Sequence, residues 1–253
     1  MISIKKVILG LMVLIHTLGA GEIYATFNIE AHQSANLAFF TGGVVDKVNV
    51  DVSTIVKKGD NLVELQNNDL KASLRMAKAA LDDAEVTLKF AKKDYERQVL
   101  IKDLIDEAKF DQYELAYERA KVATAQAKAN YSYQKAILER SIILAPFDGI
   151  IFEKSVEIGD VVSGLSLRTI LKIQSKSKRK LIFEFDQKYW KSVKVGDAVK
   201  YSVNGDENSY TGKISKLYPH ANSDNRKIKA EVITNGFVVG LFGEGYITIP
   251  DVK

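Results

Sequence analysis

Apolar positions follow two different rhythms along this chain. In the middle, Leu70, Leu74, Ala77, Leu81, Ala84, Leu88, Ala91 and Tyr95 recur at alternating spacings of four and three, which places them on one seam of a helix. Phe110, Tyr113, Tyr117, Ala120, Thr124, Ala127, Tyr131 and Gln134 repeat that rhythm. The 85 residues from Asn61 to Ala145 contain neither glycine nor proline, so the stretch reads as long helices. The seam lapses between Ile101 and Glu107, where Asp103 and Asp106 disfavour a helix interior and Asp106 can serve as N-cap of the returning helix. An antiparallel hairpin is predicted, its first helix from Leu70 to Ile101 being roughly 48 Å long at about 1.5 Å per residue. Pairs such as Glu85 with Lys89 mark its charged outer face.

On either side of the hairpin the rhythm changes to short strand-like runs, and the two flanks resemble each other at a constant displacement. Gly43, Val44, Val45, Val50, Ile55 and Val56 stand 106 residues before Gly149, Ile150, Ile151, Val156, Val161 and Val162, with Asp51 opposite Glu157. Each copy predicts half of a small β-sandwich. Beyond a lysine-rich link from Lys176 to Lys180, Leu181, Phe183 and Phe185 alternate with more polar positions. Further strands are predicted at Tyr210 to Leu217, Lys227 to Ile233 and Gly245 to Ile249, with turns at Gly196, Asn204-Gly205 and Asn235-Gly236. The last third is an all-β domain.

Composition narrows the function. Lys5 and Lys6 precede an apolar run from Val7 to Leu18 and the small residues Gly19, Ala20 and Gly21, the pattern of a secretory signal peptide, with cleavage expected after Ala25; an uncleaved anchor is the alternative. Cysteine is absent, which excludes a disulfide framework and thiol catalysis. A formal charge of +4 with dispersed lysines argues against nucleic acid as a partner. The histidines are His16, His32 and His220, none with ligand-like neighbours, so no catalytic, metal or cofactor site is expected and the chain is read as non-enzymatic. Met76 is the only methionine after the leader and is expected to fill a gap in the hairpin.

The stretches Gly43-Val44-Val45 to Gly59-Asp60-Asn61-Leu62 and Ala145-Pro146-Phe147-Asp148-Gly149-Ile150-Ile151 to Gly159-Asp160 resemble the split lipoyl-type halves of membrane fusion proteins, the HlyD-like periplasmic adaptors. Tyr210-Thr211-Gly212-Lys213-Ile214, Asn225-Arg226-Lys227-Ile228 and the glycine-rich segment around Gly243 are similar to the family's β-barrel, and the resemblance runs over about residues 36 to 249. In lipoyl and biotinyl carriers the turn between the halves bears a modified lysine; here the hairpin stands there, so no covalent cofactor is implied. In larger relatives a membrane-proximal domain follows the barrel; here the resemblance implies that it is missing or reduced to the segment near Thr26 to Ser34. At the hairpin tip the family uses an arginine, an apolar residue four positions on, and a serine to engage a TolC-type channel. Arg97 and Ile101 match the first two, and Asp106 falls near the third. Leu104 and Ile105 either cap the hairpin seam or present apolar surface to that partner.

The expected fold is therefore α+β and multidomain. It comprises a signal peptide (1–25), a first lipoyl-like half with N-terminal strands (26–66), a helical hairpin (67–140), a second lipoyl-like half (141–175) and an antiparallel β-barrel (176–253), threaded as a rod. The resemblance implies a periplasmic adaptor between an inner-membrane transporter and a TolC-type outer-membrane channel, six copies forming a funnel. An RND-type efflux pump is the expected transporter; an ABC exporter or type I secretion system, and from another class a lipoyl or biotinyl carrier, are the alternatives. Channel docking would fall to Arg97, Ile101, Asp103, Leu104, Ile105 and Asp106.

Overall fold

The computed structural model describes residues 21–164 and 168–249. They form two compact units, one of residues 33–176 and one that combines the N-terminal strand with everything from residue 177 onward. Residues 1–20 of the leader expected over 1–25 lie outside the described residues.

In the first unit, α1 (Asn68–Val99) and α2 (Glu107–Arg140) are antiparallel helices of 32 and 34 residues. The four-three seam is what they bury. Ala77, Leu81, Phe110 and Ala120 are inaccessible, and the other seam positions are half-buried between fully exposed neighbours. The alanines let the helices approach closely enough for Thr124 Oγ1 to donate to the Ala84 carbonyl at 3.0 Å across the seam. Ion pairs line the outer faces, among them Lys78–Asp82, Lys92–Glu96 and Lys135–Glu139, while Glu85 and Lys89 make none. Met76 does not fill a gap: it lies one position off the seam, on the solvent side, and is 74% exposed.

The root of the hairpin is fixed by a buried polar cluster. Asn67, which precedes α1, does not cap it; its Nδ2 donates to Glu64 Oε1 at 3.0 Å and to Ser141 Oγ, at the end of α2, at 3.2 Å. Lys71 Nζ donates to the same Glu64 oxygen at 3.1 Å. These bonds, that from Lys71 first, hold the Glu64 carboxyl below its ordinary pKa although burial pushes it up. A lowered folded pKa gives stability that is full above the ordinary glutamate value and is lost as pH falls through the folded value. We expect Glu64→Gln to cost about 1 kcal/mol at neutral pH. In denaturant titrations across pH, the gap to the wild type should close on acidification; a gap of constant size would contradict this charge-based role.

The hairpin is inserted into a sandwich of eight short strands: β2 (Ser34–Leu37), β3 (Gly43–Val48), β4 (Ile55–Val56) and β5 (Asn61–Leu65) before it, and β6 (Ile142–Leu144), β7 (Gly149–Lys154), β8 (Val161–Val162) and β9 (Leu171–Gln174) after it. The sheets run β2-β9-β7-β4 and β6-β5-β3-β8, so each takes two strands from each half. Val45, Leu62, Leu65, Ile151, Leu171 and Ile173 fill the space between them. The exchange obeys the 106-residue repeat. Gly43 pairs with Val162 as Gly149 pairs with Val56, and Val45 N donates to Asp160 O as Ile151 N donates to Thr54 O.

One four-residue turn recurs at 51–54, 57–60, 157–160 and again at 194–197 in the second unit. In each, the side chain of the fourth residue accepts from the N–H of the first, at 2.9, 2.8, 3.0 and 2.7 Å respectively. The third residue is left-handed: Gly59, Gly159 and Gly196 take φ of +90°, +93° and +99°, but in the first turn that place is held by Ser53 at +72°. An L side chain there is strained by roughly 1 kcal/mol or more. Ser53→Gly should accordingly stabilise the sandwich by about 0.5–1 kcal/mol, seen as a rise in the chemical unfolding midpoint; a fall would mean that the Ser53 side chain contributes more than its backbone strain costs.

The second unit is a closed six-stranded antiparallel barrel in the order β1-β10-β13-β12-β11-β14, where β1 is Gly21–Ala31, β10 Lys178–Asp186, β11 Ala198–Val203, β12 Ser209–Ala221, β13 Lys227–Asn235 and β14 Phe242–Ile249. Phe27, Phe183 and Tyr201 meet at its centre with ring centroids 4.6 to 6.0 Å apart. Four expectations need correction. The barrel is not confined to 176–253, because β1 closes it by pairing with both β10 and β14. Cleavage after Ala25 would remove Gly21 to Ala25, five residues of that strand, including the buried Ile23 and Ala25; a cut after Ala20 leaves the strand whole. Thr26 to Ala31 are barrel and Ser34 starts β2, so that segment is not a remnant of a further domain. Lys178 to Lys180, read as linker, open β10, with Arg179 buried and donating to the Phe237 carbonyl at 2.7 Å.

Candidate functional site at the hairpin tip

Five of the six residues singled out at the tip fall within the connection between the helices, and Arg97 stands just before it. Arg97 occupies the last turn of α1, exposed, its guanidinium donating to Asp94 Oδ1 at 3.0 Å. After Leu100 the chain leaves the α-helix, and Lys102 to Leu104 form a single 3-10 turn with Leu104 N donating to the Ile101 carbonyl at 2.9 Å. Ile105 is extended (φ −121°, ψ 157°), and Asp106 caps α2 by accepting from Lys109 N at 3.3 Å. An N-cap of this kind contributes about 1 kcal/mol to the returning helix.

Aromatic side chains close the hairpin directly beneath the turn. Phe110 is buried, its ring 5.7 Å from that of Tyr95, which stacks on Tyr117 at 5.3 Å; Lys102 Nζ covers the Phe110 ring at 4.7 Å. The turn is thus braced from within, and its outward side chains do not hold it together. Leu104 and Ile105 play different parts. Ile105 is half-buried and caps the seam, whereas Leu104 is 84% exposed. Leu100 is exposed to the same degree, and Val99 and Ile101 are largely exposed. At that exposure the two leucines gain almost nothing from this chain, and what they offer is apolar surface at a polar rod end. Leu100 was missed from sequence because it is read as part of the helix; its place two residues past Gln98, which is on the seam, puts it on the outer face and was the available signal.

No cluster of three or more His, Cys, Asp or Glu side chains able to hold a metal occurs among the described residues. His220 stands next to the last residue of β12, exposed to solvent. None of the described helices is long and apolar enough to cross a membrane.

A lipoyl-like sandwich interrupted by a helical hairpin and accompanied by a six-stranded barrel defines the membrane fusion protein class. The chain belongs to the CzcB-like barrel-sandwich hybrid domain family, whose sequence profile matches residues 33–170. It is similar to an uncharacterised protein of Haemophilus influenzae, at 28% identity over 204 residues, 79% of this chain and 49% of that one. It is also 25% identical over 224 residues to the cobalt-zinc-cadmium resistance protein CzcB of Cupriavidus metallidurans, covering 85% of this chain and 41% of the relative. It therefore spans about half, or less, of these relatives' length. Its fold matches the crystal structure of MacA from Actinobacillus actinomycetemcomitans with a TM-score of 0.74 at 22% identity, over 93% of this chain and 81% of that one.

Proposed function

We propose that this chain is an exported periplasmic adaptor that couples an inner-membrane transporter to a TolC-type outer-membrane channel, without catalysis of its own. The observation that carries this reading is the braced tip with Leu100 and Leu104 each 84% exposed, at the end of two helices of about 48 and 51 Å. The hairpin occupies the position between the two half-sandwiches where carrier domains hold their modified lysine, which favours the adaptor over a carrier. Its moderate length favours an RND-type efflux pump over a secretion system, and the name of the Cupriavidus relative supports toxic metal cations as one class of cargo.

Assembly into a ring is supported by the sandwich surface. Val52 and Ile55 on one side of the repeat, and their counterparts Ile158 and Val161 on the other, are all more than half exposed. Ile55 and Val161 lie in the outermost strands of different sheets. Two separate apolar patches on one unit suit a head-to-tail contact that closes into a ring, in this reading of six copies.

Deletion of the chain should make cells accumulate the exported solute and lose tolerance to it, with tolerance restored by the intact chain. Unchanged accumulation of divalent metals and of small toxic organic molecules would overturn the reading.

A further inference from the structure

One rim of the barrel carries chemistry that the adaptor reading does not use. Strand register puts Gly21, Asp186, Ala198, Ala221, Lys227 and Ile249 at the same end of the barrel. Between β10 and β11 on this rim runs a single helical turn, closed by Val193 N donating to the Tyr189 carbonyl at 3.1 Å. Tyr189 and Val193 pack into the barrel core. They lock the turn, so Trp190 at 64% exposure and Val195 at 60% are left in solvent.

Trp190 is the only tryptophan of the chain. It flanks a cleft of about 680 Å³ whose apolar walls include Phe185, Leu217, Pro219 and Ile228. Lys188, Lys191 and Lys194 lie near it in sequence, with Lys191 Nζ 5.1 Å above the indole and Lys188 Nζ 4.9 Å above the Tyr189 ring. Asp186 and Asp197 accept from the backbone N–H of Lys188 and Lys194, so this segment carries three lysines against two aspartates. Glu22 and Asp224 share the rim, as do Arg226 and Lys227.

From this geometry we infer that the rim bearing Trp190, Lys188, Lys191 and Lys194 docks on the surface of an anionic phospholipid membrane. An indole with an apolar body and a polar edge belongs at the headgroup level, and flexible lysines can lay their stems on apolar surface while their ammonium groups meet lipid phosphates. The open cleft beside the indole is mostly apolar, with Gln187, Lys188 and His220 also among its lining residues. The inference rests on the proposed export of the chain, and it assigns the membrane contact to the barrel itself.

The single tryptophan reports on the site directly. The chain from Gly21, which keeps every described element, is titrated with vesicles of phosphatidylglycerol and phosphatidylethanolamine, then with vesicles of phosphatidylcholine alone. With the anionic vesicles, Trp190 emission should shift to shorter wavelength, be quenched by lipids brominated on their acyl chains, and return to its free value at high salt. Reversing three lysines in Lys188→Glu, Lys191→Glu, Lys194→Glu should weaken vesicle binding by at least roughly a hundredfold, at about fivefold per lysine, with an unchanged circular dichroism spectrum. Indifference of Trp190 to anionic vesicles at low salt, or equal response to neutral ones, would overturn the inference. A shift seen only with vesicles that retain inner-membrane proteins would also overturn it, in favour of a protein partner. Tip docking is read by a separate measurement, so the two proposals fail independently.

Discussion

Replacing both exposed leucines of the tip with aspartate, Leu100→Asp with Leu104→Asp, should abolish export while leaving the protein folded. Each leucine is 84% exposed, and the turn that carries them is held by Phe110, Tyr95 and the Asp106 cap. Stability should therefore change by no more than about 0.5 kcal/mol. In a docked complex each leucine would bury its side chain, for about 1.5–3 kcal/mol. Losing two such contacts weakens docking by roughly a hundredfold to ten-thousandfold, and the new carboxylates add a desolvation penalty. Arg97→Asp tests the same surface through charge: it removes the Asp94 partner and sets two acids three residues apart on an exposed face. The assay is solute accumulation in cells, beside thermal unfolding of the purified variant. Full export by a folded double variant would remove the tip from the mechanism.

The second large effect separates two glycines that the repeat makes equivalent. At Gly149 a Cβ would lie 2.5 Å from the Gln174 carbonyl oxygen and 2.9 Å from Ile173 Cγ1, in the packed layer of the sandwich. Neither can retreat, since Ile173 is fully buried and Gln174 is paired in β9. Gly149→Ala should cost about 2–3 kcal/mol. At Gly43 the atoms met belong only to the Leu65 side chain, the nearest being Cδ1 at 3.1 Å, so a shift of a few tenths of an ångström by that one side chain suffices and no backbone atom has to move. Gly43→Ala should stay within about 1 kcal/mol. Urea unfolding of both variants checks the contrast, and equal losses would show that the two halves respond alike.

The parts of this fold that were legible in the sequence rest on local periodicity or on self-similarity. The hairpin follows from a seam whose members are four or three residues apart, so every contact between successive seam positions is close in sequence. The exchange of strands in the sandwich is latent in the 106-residue repeat, because two like halves bury their apolar faces on each other. The barrel's closing strand was hidden for the opposite reason. Ile23, Ala25, Phe27 and Ile29 alternate as a strand should, but β1 pairs with β14, and Tyr24 finds Glu244 across 220 positions. Ala25, with its small side chain beside an apolar run, reads as a cleavage point when only its neighbours are considered. At the tip, the N-cap role of Asp106 was legible because capping is local. The exposure of Leu100 was less so, since its environment depends on where α1 ends, and the α-helix stops at Val99, before the 3-10 turn that begins at Lys102. Met76 failed similarly: an apolar residue one step off the seam faces solvent whatever its hydropathy.

The most direct measurement is photo-crosslinking in cells from a photoreactive residue placed at Leu104, with mass spectrometry of the captured protein. An outer-membrane channel protein should be captured in the wild-type background and lost when Arg97→Asp is added. Capture of nothing, or only of a second copy of this chain, would contradict docking at the tip and with it the adaptor's proposed orientation.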